Sequence, residues 1–419
     1  MEKIVVKGGC KLSGEVNISS AKNSVLPIIA ASILCGEKCE IKNAPMLEDV
    51  LVICDVLRSL SAKVDIDKES NIITIDTSEV TLCEPDAELV KKMRASFLIM
   101  GPMLARFGKF KISLPGGCNI GSRPIDLHLK GLSALGAKIN LGHGYVEAYV
   151  NKLVGSQIYL DFPSVGATEN IMMSAVMAEG ETTIENAAAE PEIIDLASFL
   201  ISMGAKIQGA GTDTIHITGV KNLNGASHTP IYDRIEAGTF MVAAAITKSK
   251  LKINGILEEH MKPVIAKLTE CGLSMEYQGG SIIIDGNKEL RPVDIKTMPY
   301  PGFPTDMQAQ MMVLLSTVNG TSIITETIFE NRYMHVNELK RMGANIKTEG
   351  RSAIIEGVPR LTGAEVKATD LRAGAALILA GLAAEGNTSI QDVYHIDRGY
   401  VEIEKKFQKL GANIIRIRE

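Results

Sequence analysis

Tryptophan is absent from this 419-residue chain, and aromatic residues make up only 4% of it. A core with so few aromatic side chains must be packed mainly by Ala, Ile, Leu, Met and Val, whose small members let helices approach closely. Hydrophobic residues nevertheless reach 46% and charged residues 22%, which excludes the disordered, fibrous and disulfide-scaffold classes. The chain is therefore expected to fold, and its length favours two or more globular units.

Long apolar runs are also missing. No stretch approaches eighteen consecutive apolar residues, which argues against a membrane span, and the start MEKIVVKGG lacks the apolar core of a signal peptide. The seven cysteines are scattered and odd in number, so a disulfide framework is disfavoured. Cys35 and Cys39 have no second pair and no nearby His, so we expect no metal site. These observations predict a cytoplasmic protein without membrane insertion.

An excess of positive charge is missing too, since the formal net charge is −5. This is the wrong sign for a protein that follows a polyanionic backbone, so nucleic acid is not an expected partner. An anionic substrate would have to be held by a local cluster of Arg and Lys.

Repetition is what the chain does have. One short string at a helix-to-strand junction occurs six times, as LSAKVDI, LGAKINL, MGAKIQG, CGLSMEY, MGANIKT and LGANIIR. An apolar helix, a turn and an alternating strand precede each copy. We therefore predict an α/β fold of six βαβαββ-like repeats in two triplets. Each triplet would have internal threefold symmetry, with apolar helices inside and sheets outside.

Glycines mark the ends of the apolar helices. A residue without Cβ adopts the left-handed conformation that ends a helix at least cost. This predicts such helix ends at Gly36, Gly108, Gly180, Gly320 and Gly386. The fourth copy has Thr247 and Lys248 at this place instead.

The domain boundary should lie between the third and fourth copies. The third copy ends near Gly225, and the fourth begins at Tyr232–Arg234. The strand-like start IVVKGG could complete a repeat of the second half. We therefore predict one domain at 22–230 and a discontinuous domain at 1–21 and 231–419. Two crossovers between domains are a natural hinge.

The segment Ser113-Leu114-Pro115-Gly116-Gly117-Cys118 carries the strongest local signal for chemistry. A cysteine after Pro-Gly-Gly is expected on a surface loop, where Arg123 could lower its pKa and make it reactive. The alternative is an incidental exposed thiol.

Polar residues also recur where the apolar helices begin. Lys22-Asn23 and Ser164-Val165-Gly166 stand at helix N-termini, whose free N–H groups and dipole attract anions. Ordinary helix capping is the alternative for both. Arginines recur at matching loops, and together they would hold a compact trianion such as a phosphorylated carboxylate through bidentate contacts: Arg94, Arg123, Arg234, Arg332, Arg372 and Arg398. Asp306 could orient or deprotonate a substrate hydroxyl or could cap a helix.

Several long strings occur in one order: AKN, PGGCNIGSRPIDLH, SVGATEN, DRIEAGTF, FPTDMQAQ, ENRYMHV, TDLRAGAAL and HIDRGY. From Lys3 onward the chain resembles the UDP-N-acetylglucosamine enolpyruvyl transferases. The resemblance implies an inside-out α/β barrel in each domain and a cleft that closes on the nucleotide sugar. It implies transfer of the enolpyruvyl group of phosphoenolpyruvate to the sugar 3′-hydroxyl, with release of phosphate and without a cofactor. This is the first committed step of peptidoglycan precursor synthesis, and a monomer or weak homo-oligomer is expected.

The resemblance also implies roles for individual residues. Cys118 matches the cysteine that acts in proton transfer and is alkylated by fosfomycin. Cations around phosphoenolpyruvate are matched by Lys22, Arg94, Arg123, Arg372 and Arg398. The sugar and its reacting hydroxyl are contacted by residues that match Asn23 and Asp306. The nucleotide is bound by residues that match Pro124, Ile125, Asp126, Leu127, Ser164, Val165, Gly166 and Arg332. Asp370 is taken as a further substrate-binding residue, since it precedes Arg372 at a matching helix start.

Two departures and two alternatives stand beside this interpretation. Some members carry Lys where this chain has Glu48 and Phe162, so the diphosphate would be held by fewer charges. The sister transferase that acts on shikimate 3-phosphate shares the architecture but lacks the loop cysteine. A noncatalytic UDP-sugar-binding regulator would not require the whole set of Lys22, Cys118, Asp306, Arg372 and Arg398.

Overall fold

The structure is a computed structural model that describes residues 2–114 and 125–418. Contacts within the chain divide the described residues into two units. The N-unit comprises residues 20–114 and 125–231, and the C-unit comprises residues 2–19 and 232–418. The chain passes between them after Ser19 and again after Ile231. The predicted boundaries, after residues 21 and 230, lie within two residues of these points.

Helices and strands alternate along both units. The helices are α1 (Lys22–Ala31), α2 (Glu48–Ser59), α3 (Ala87–Lys92), α4 (Met100–Phe107), α5 (Asp126–Ala134), α6 (Val165–Ala175), α7 (Pro191–Ser202), α8 (Arg234–Ile246), α9 (Glu258–Glu270), α10 (Gln308–Leu315), α11 (Val336–Arg341), α12 (Leu371–Ala383), α13 (Tyr394–Asp397) and α14 (Ile403–Lys409). Short 3₁₀ helices lie at Ser32–Leu34, Arg94–Ile99 and Thr305–Met307. The strands are β1 (Glu2–Lys7), β2 (Ser13–Asn17), β3 (Lys38–Ile41), β4 (Lys63–Asp67), β5 (Ile72–Asp76), β6 (Lys109–Ser113), β7 (Lys138–Gly142), β8 (Tyr145–Tyr149), β9 (Gln157–Tyr159), β10 (Glu181–Glu185), β11 (Lys206–Gln208), β12 (Thr214–Thr218), β13 (Ser227–His228), β14 (Lys250–Asn254), β15 (Ser274–Gln278), β16 (Ser281–Asp285), β17 (Ile295–Lys296), β18 (Thr321–Thr325), β19 (Asn345–Glu349), β20 (Ser352–Glu356), β21 (Glu365–Lys367), β22 (Asn387–Gln391) and β23 (Asn413–Arg418).

Each unit contains three small sheets among the described residues. In the N-unit their strand orders are β13-β3-β5-β4, β6-β8-β7 and β9-β10-β12-β11. In the C-unit they are β2-β14-β16-β15, β17-β18-β20-β19 and β21-β22-β1-β23. In every four-stranded sheet the first strand is parallel to the second, and the remaining pairs are antiparallel. The prediction of a two-domain α/β fold built from βαβαββ-like repeats is confirmed, although the sheet β6-β8-β7 has three strands rather than four among the described residues.

The strands near the two chain passages, β1, β2 and β13, pair with strands that are distant from them in sequence. β1 lies between β22 and β23 and so completes the sixth repeat, as the sequence predicted. β2 precedes α1 along the chain but pairs with β14 of the C-unit. β13 precedes α8 but pairs with β3 of the N-unit. The strand before the first helix of each triplet is therefore contributed to the other triplet.

The core of the C-unit is made by mostly apolar helices that are buried on nearly every side, and α1 and α6 of the N-unit are buried in the same way. Every residue of α10 is buried, and so is nearly every residue of α8 and α12. A helix with no polar face must lie inside, whereas the alternating strands bury one face and expose the other. No helix among residues 2–114 and 125–418 is long and apolar enough to cross a membrane.

The predicted left-handed helix end is confirmed at Gly108, which is the C-cap of α4 with φ of 71°. Gly180, Gly320 and Gly386 also have positive φ, but they lie in the turns beyond the helices, whose C-caps are Val176, Ser316 and Ala384. The prediction for Gly36 is wrong. There α1 continues into the 3₁₀ helix Ser32–Leu34, and Cys35 leaves it in an extended conformation with φ of −115°. In the fourth repeat Lys248 itself takes a positive φ of 49°.

Candidate active site

Three predicted site residues meet in the C-unit around the carboxylate of Asp306. Its Oδ1 accepts a hydrogen bond from Nη2 of Arg332 at 2.8 Å. Its Oδ2 accepts from Nη2 and Nε of Arg372 at 3.0 and 3.2 Å. The arginine side chains are only 4% and 2% exposed, against 25% for Asp306. One carboxylate thus joins two buried guanidinium groups.

Asp306 is placed by the start of α10 and does not cap it. It lies in the 3₁₀ turn Thr305–Met307, and no side chain caps the first turn of α10. The buried carboxylate of Glu326 accepts from the hydroxyl groups of Thr297 and Thr305, both at 2.8 Å. Thr305 in turn accepts from Nη1 of Arg332 at 3.1 Å. Glu326 therefore fixes the turn that presents Asp306, although the sequence analysis did not single it out.

Arg372 remains charged in its buried place. Burial opposes the charge, but Tyr400, Asp306 and Asp233 more than offset it and raise the pKa of Arg372. The Tyr400 ring lies beside the guanidinium, with 5.4 Å from Cζ to the ring centroid. Within the described residues, Nη1 of Arg372 has no hydrogen-bond partner of good geometry.

Asp370 and Arg398 lie near the same end of α12. Asp370 caps this helix by accepting from the backbone N–H groups of Arg372 and Ala373 at 2.9 and 3.0 Å. Arg398 directly follows α13. Burial and the charge of Arg398 lower the pKa of His395, whereas Asp370 raises it. The charges of Asp370 and Arg398 therefore both act on the His395 ring.

In the N-unit, Lys22 forms a buried ion pair. It is the first residue of α1, and its Nζ lies 2.7 Å from Oδ2 of Asp49 in the first turn of α2. Their side chains are 11% and 4% exposed. Asn23 is an exposed residue inside the helix, so the alternative role of helix cap is excluded for it. Asp49 is a partner that no local sequence pattern revealed.

His128 lies beside two of the predicted nucleotide-binding segments of the N-unit. Asp126 and Leu127 open α5, one residue after Ile125, and His128 follows them. Nδ2 of Asn170 donates to Nδ1 of His128 at 3.1 Å. A Cβ atom on Gly166 would come within 3.1 Å of the His128 ring.

Two further features define the surroundings of this histidine. Burial and, secondarily, the charge of Arg94 lower the pKa of His128 to about 3. The Phe97 ring meets it edge-on, with 5.3 Å between centroids. Arg94, the start of α5 and the start of α6 are thus brought together around a neutral imidazole.

The loop before α6 behaves as a helix cap. Ser164 Oγ accepts from the backbone N–H of Ala167 at 3.4 Å, and Val165 and Gly166 form the first turn of α6. Thr168, in the same helix, accepts from the backbone N–H of Ala188 at 3.0 Å. Capping by Ser164 leaves other N–H groups of this turn available to a ligand.

Three predicted site residues lie outside the described part of the chain: Cys118, Arg123 and Pro124. The structure describes the chain up to Leu114, directly after β6, and again from Ile125. The roles of these three residues stay predictions.

A neutral His128 predicts an acid-sensitive N-unit. Because the folded-state pKa is lowered to about 3, the stabilising contribution is present above the unfolded pKa and is lost as pH falls from there toward 3. Acidification from pH 7 to pH 5 should cost about 2 kcal/mol of unfolding free energy through this residue. Urea unfolding at both pH values measures the loss. The unfolding free energy of the His128→Gln variant should fall by about 2 kcal/mol less than that of the unaltered protein over the same pH change. An equal loss in both proteins would contradict the conclusion that His128 is neutral in the folded protein.

Comparison with known proteins gives matches along nearly the whole chain. The family model of EPSP synthase (3-phosphoshikimate 1-carboxyvinyltransferase) matches residues 6–407. UDP-N-acetylglucosamine 1-carboxyvinyltransferase 2 of Clostridium tetani is 72% identical over 417 residues, covering 100% of both chains. UDP-N-acetylglucosamine 1-carboxyvinyltransferase 1 of Clostridium acetobutylicum is 70% identical with the same coverage.

Solved structures agree with this match. The enolpyruvyl transferase NikO from Streptomyces tendae superposes with a TM-score of 0.90 at 26% identity, covering 99% of this chain and 98% of that one. EPSP synthase from Acinetobacter baumannii covers 100% of both chains with a TM-score of 0.78 at 19% identity, a likeness of fold.

Proposed function

Because the chain belongs to the EPSP synthase family, we propose that it transfers the enolpyruvyl group of phosphoenolpyruvate to the 3′-hydroxyl of UDP-N-acetylglucosamine and releases phosphate. The observation that carries this proposal is the 72% identity, over both full lengths, with a UDP-N-acetylglucosamine 1-carboxyvinyltransferase. The reaction is the first committed step of peptidoglycan precursor synthesis. We propose that it takes place in the cytoplasm.

The cations of the site fit the donor. Phosphoenolpyruvate carries a phosphate and a carboxylate, and guanidinium groups bind both in bidentate fashion. In the C-unit we assign this role to Arg372 and to Arg398, the two arginines that lie near the start of α12. Lys22 at the start of α1, Arg94 and Arg123 supply further positive charge in this proposal.

Asp306 suits the acceptor hydroxyl. Its two bonded arginines fix the carboxylate in place, so it can receive the proton of the sugar 3′-hydroxyl as that oxygen attacks C2 of phosphoenolpyruvate. C3 gains a proton in this addition and loses one in the elimination, when the C2–O bond to phosphate breaks. We assign Cys118 to proton transfer at this centre. Arg332 donates to Asp306 and Thr305, so in this scheme it holds Asp306 in place, whereas the resemblance implied a role at the nucleotide.

The N-unit would bind the nucleotide sugar. Pro124 to Leu127 are assigned to uracil, and the turn Ser164 to Gly166 is assigned to the diphosphate, which the N-terminus of α6 favours. Asn23 is exposed on the first turn of α1 and is assigned to the sugar. The exposed Phe162 and Glu48, where some family members have Lys, leave this diphosphate with fewer cationic partners.

A phosphate-release assay with two acceptors tests the proposal. Phosphoenolpyruvate with UDP-N-acetylglucosamine should release phosphate, whereas phosphoenolpyruvate with shikimate 3-phosphate should not. Release with shikimate 3-phosphate alone would identify the sister activity. Binding of UDP-N-acetylglucosamine without phosphate release would identify a noncatalytic regulator.

Fosfomycin should label one cysteine only. An epoxide alkylates a thiolate on an accessible loop much faster than a buried thiol. Cys271 is buried, and burial raises its pKa to about 11, so it should not react. Mass spectrometry of digested protein should place the added mass on Cys118, with turnover lost in step. Labelling of the partly exposed Cys83 with Cys118 unmodified would contradict the assignment.

A further inference from the structure

A dense group of charged side chains in the C-unit is centred on Arg416 of β23. Nη1 and Nη2 of Arg416 donate to the two carboxylate oxygens of Asp397 at 2.9 and 2.6 Å, as a two-pronged fork. Nε donates to Glu404 at 2.9 Å, and Nη1 also donates to Glu2 at 3.0 Å. All three guanidinium nitrogens are therefore engaged. The Arg416 side chain is only 15% exposed, and its bond to Asp397 is the main reason that its pKa is raised.

Asp397 is the last residue of α13, and Arg398 follows it directly. The peptide that connects them has little freedom once the carboxylate of Asp397 is held at both oxygens, because two parallel hydrogen bonds fix its direction as well as its distance. Arg416 thus restrains the backbone from which the Arg398 side chain begins.

The rest of the segment 394–400 is packed tightly on the beginning of α12. A Cβ atom on Gly374 would lie 2.5 Å from the Ile396 side chain, and one on Gly399 would lie 2.4 Å from Leu371. Tyr400, at the end of the segment, lies beside the guanidinium of Arg372. The same short segment therefore presents Arg398 and supports Arg372. Arg416 of β23 holds this segment through its two hydrogen bonds to Asp397.

We propose that Arg416 is a positioning residue that fixes the direction of Arg398 by its fork on Asp397, and so sets the affinity and reactivity toward phosphoenolpyruvate. This inference rests on the proposed function, in which Arg398 contacts the donor. A lysine could replace the charge of Arg416 but not the fork, since an ammonium group is a point charge. Arg416 itself touches no substrate in this scheme.

The chain offers a matched control on the same strand. Arg418 lies two residues further along β23, where side chains point to the same face. Its Nε contacts Glu2 at 2.9 Å, and its side chain is 79% exposed. Arg418→Met removes an arginine and a contact with Glu2 while the fork on Asp397 stays intact.

Steady-state kinetics of Arg416→Met, Arg416→Lys and Arg418→Met test the inference. A small displacement of a substrate-contacting group costs on the order of 10- to 100-fold in rate, so kcat/KM for phosphoenolpyruvate should fall by about that factor in Arg416→Met. KM for UDP-N-acetylglucosamine should stay within about twofold, because the N-unit is unchanged. Arg416→Lys should recover little, and Arg418→Met should equal the unaltered enzyme. In an Arg398→Ala background, Arg416→Met should cause almost no further loss.

Asp397→Asn provides a second test should Arg416→Met fail to fold. It keeps the shape of the side chain but replaces one acceptor oxygen of the fork, so the same selective loss toward phosphoenolpyruvate is expected. An unchanged kcat/KM for phosphoenolpyruvate in a folded variant, equal losses for both substrates, or full additivity with Arg398→Ala would overturn the inference.

Failure of the proposed function has a different signature. An unaltered chain that releases no phosphate defeats the proposed function. The positioning inference is defeated instead by a crystal structure of Arg416→Met in which the Arg398 side chain has not moved.

Discussion

Cys118→Ser is expected to lower kcat by about 10³-fold, the range in which one positioned proton-transfer group acts. A serine hydroxyl is close to a thiol in size but is a far weaker acid. It therefore does not ionise near neutral pH and cannot replace the thiol as a proton-transfer group. Phosphate release under saturating substrates measures the effect.

The matched control is Cys83→Ser, which alters a second cysteine; the thiol of Cys83 is partly exposed. Cys83 lies in the N-unit, outside the cluster of predicted site residues, so its variant should keep the activity of the unaltered enzyme. KM for UDP-N-acetylglucosamine should also stay unchanged in Cys118→Ser, because this residue is assigned to chemistry rather than to the nucleotide. Undiminished phosphate release by Cys118→Ser would remove the residue from the mechanism.

Asp306→Asn and Asp306→Ala should have the second large effect, on both activity and stability. Asp306→Ala leaves the buried guanidinium groups of Arg332 and Arg372 without their shared carboxylate. Removal of one partner from a buried ion pair costs about 3–5 kcal/mol of unfolding free energy. Asp306→Asn keeps the shape and one acceptor oxygen, so it should be less destabilised. Both variants should lose about 10³-fold in kcat, because neither retains a base for the sugar hydroxyl.

The difference between the two variants separates catalysis from folding. Urea unfolding gives the stability, and phosphate release by the folded fraction gives the activity. Glu385→Gln is the control, since it breaks a bond to Arg360 at the surface, where both side chains are more than half exposed and the pair contributes little. Turnover by Asp306→Asn at the level of this control would exclude Asp306 as the base.

The repeat architecture could be predicted because each of its signals is local. Apolar helices, alternating strands and the glycines of the turns between them follow from short windows of sequence, and their sixfold recurrence reinforces each one. The prediction for Gly36 was wrong because a 3₁₀ turn, Ser32–Leu34, lies between the helix and the glycine. The choice between α-helical and 3₁₀ termination depends on packing around the turn, which one window does not contain.

The partners of the candidate site residues could not be predicted in the same way. Asp49 meets Lys22, and Asn170 meets His128, from separate elements of the chain. Arg416 and Asp397 lie on different elements that are joined only by tertiary packing. Sequence motifs identified Asp306 and Arg372 separately. The ion pair between them, and the support of the Asp306 turn by Glu326, depend on how the ends of the helices pack together.

The central claim is that this chain attaches an enolpyruvyl group to the 3′-oxygen of UDP-N-acetylglucosamine. Nuclear magnetic resonance of the purified product tests it most directly, with phosphoenolpyruvate labelled with ¹³C at C2 and C3. The account predicts a vinylic CH₂ signal and a coupling between the labelled C2 and the proton at C3′ of the sugar. A product with the enolpyruvyl group on another oxygen, or unchanged UDP-N-acetylglucosamine after phosphate has been released, would contradict it.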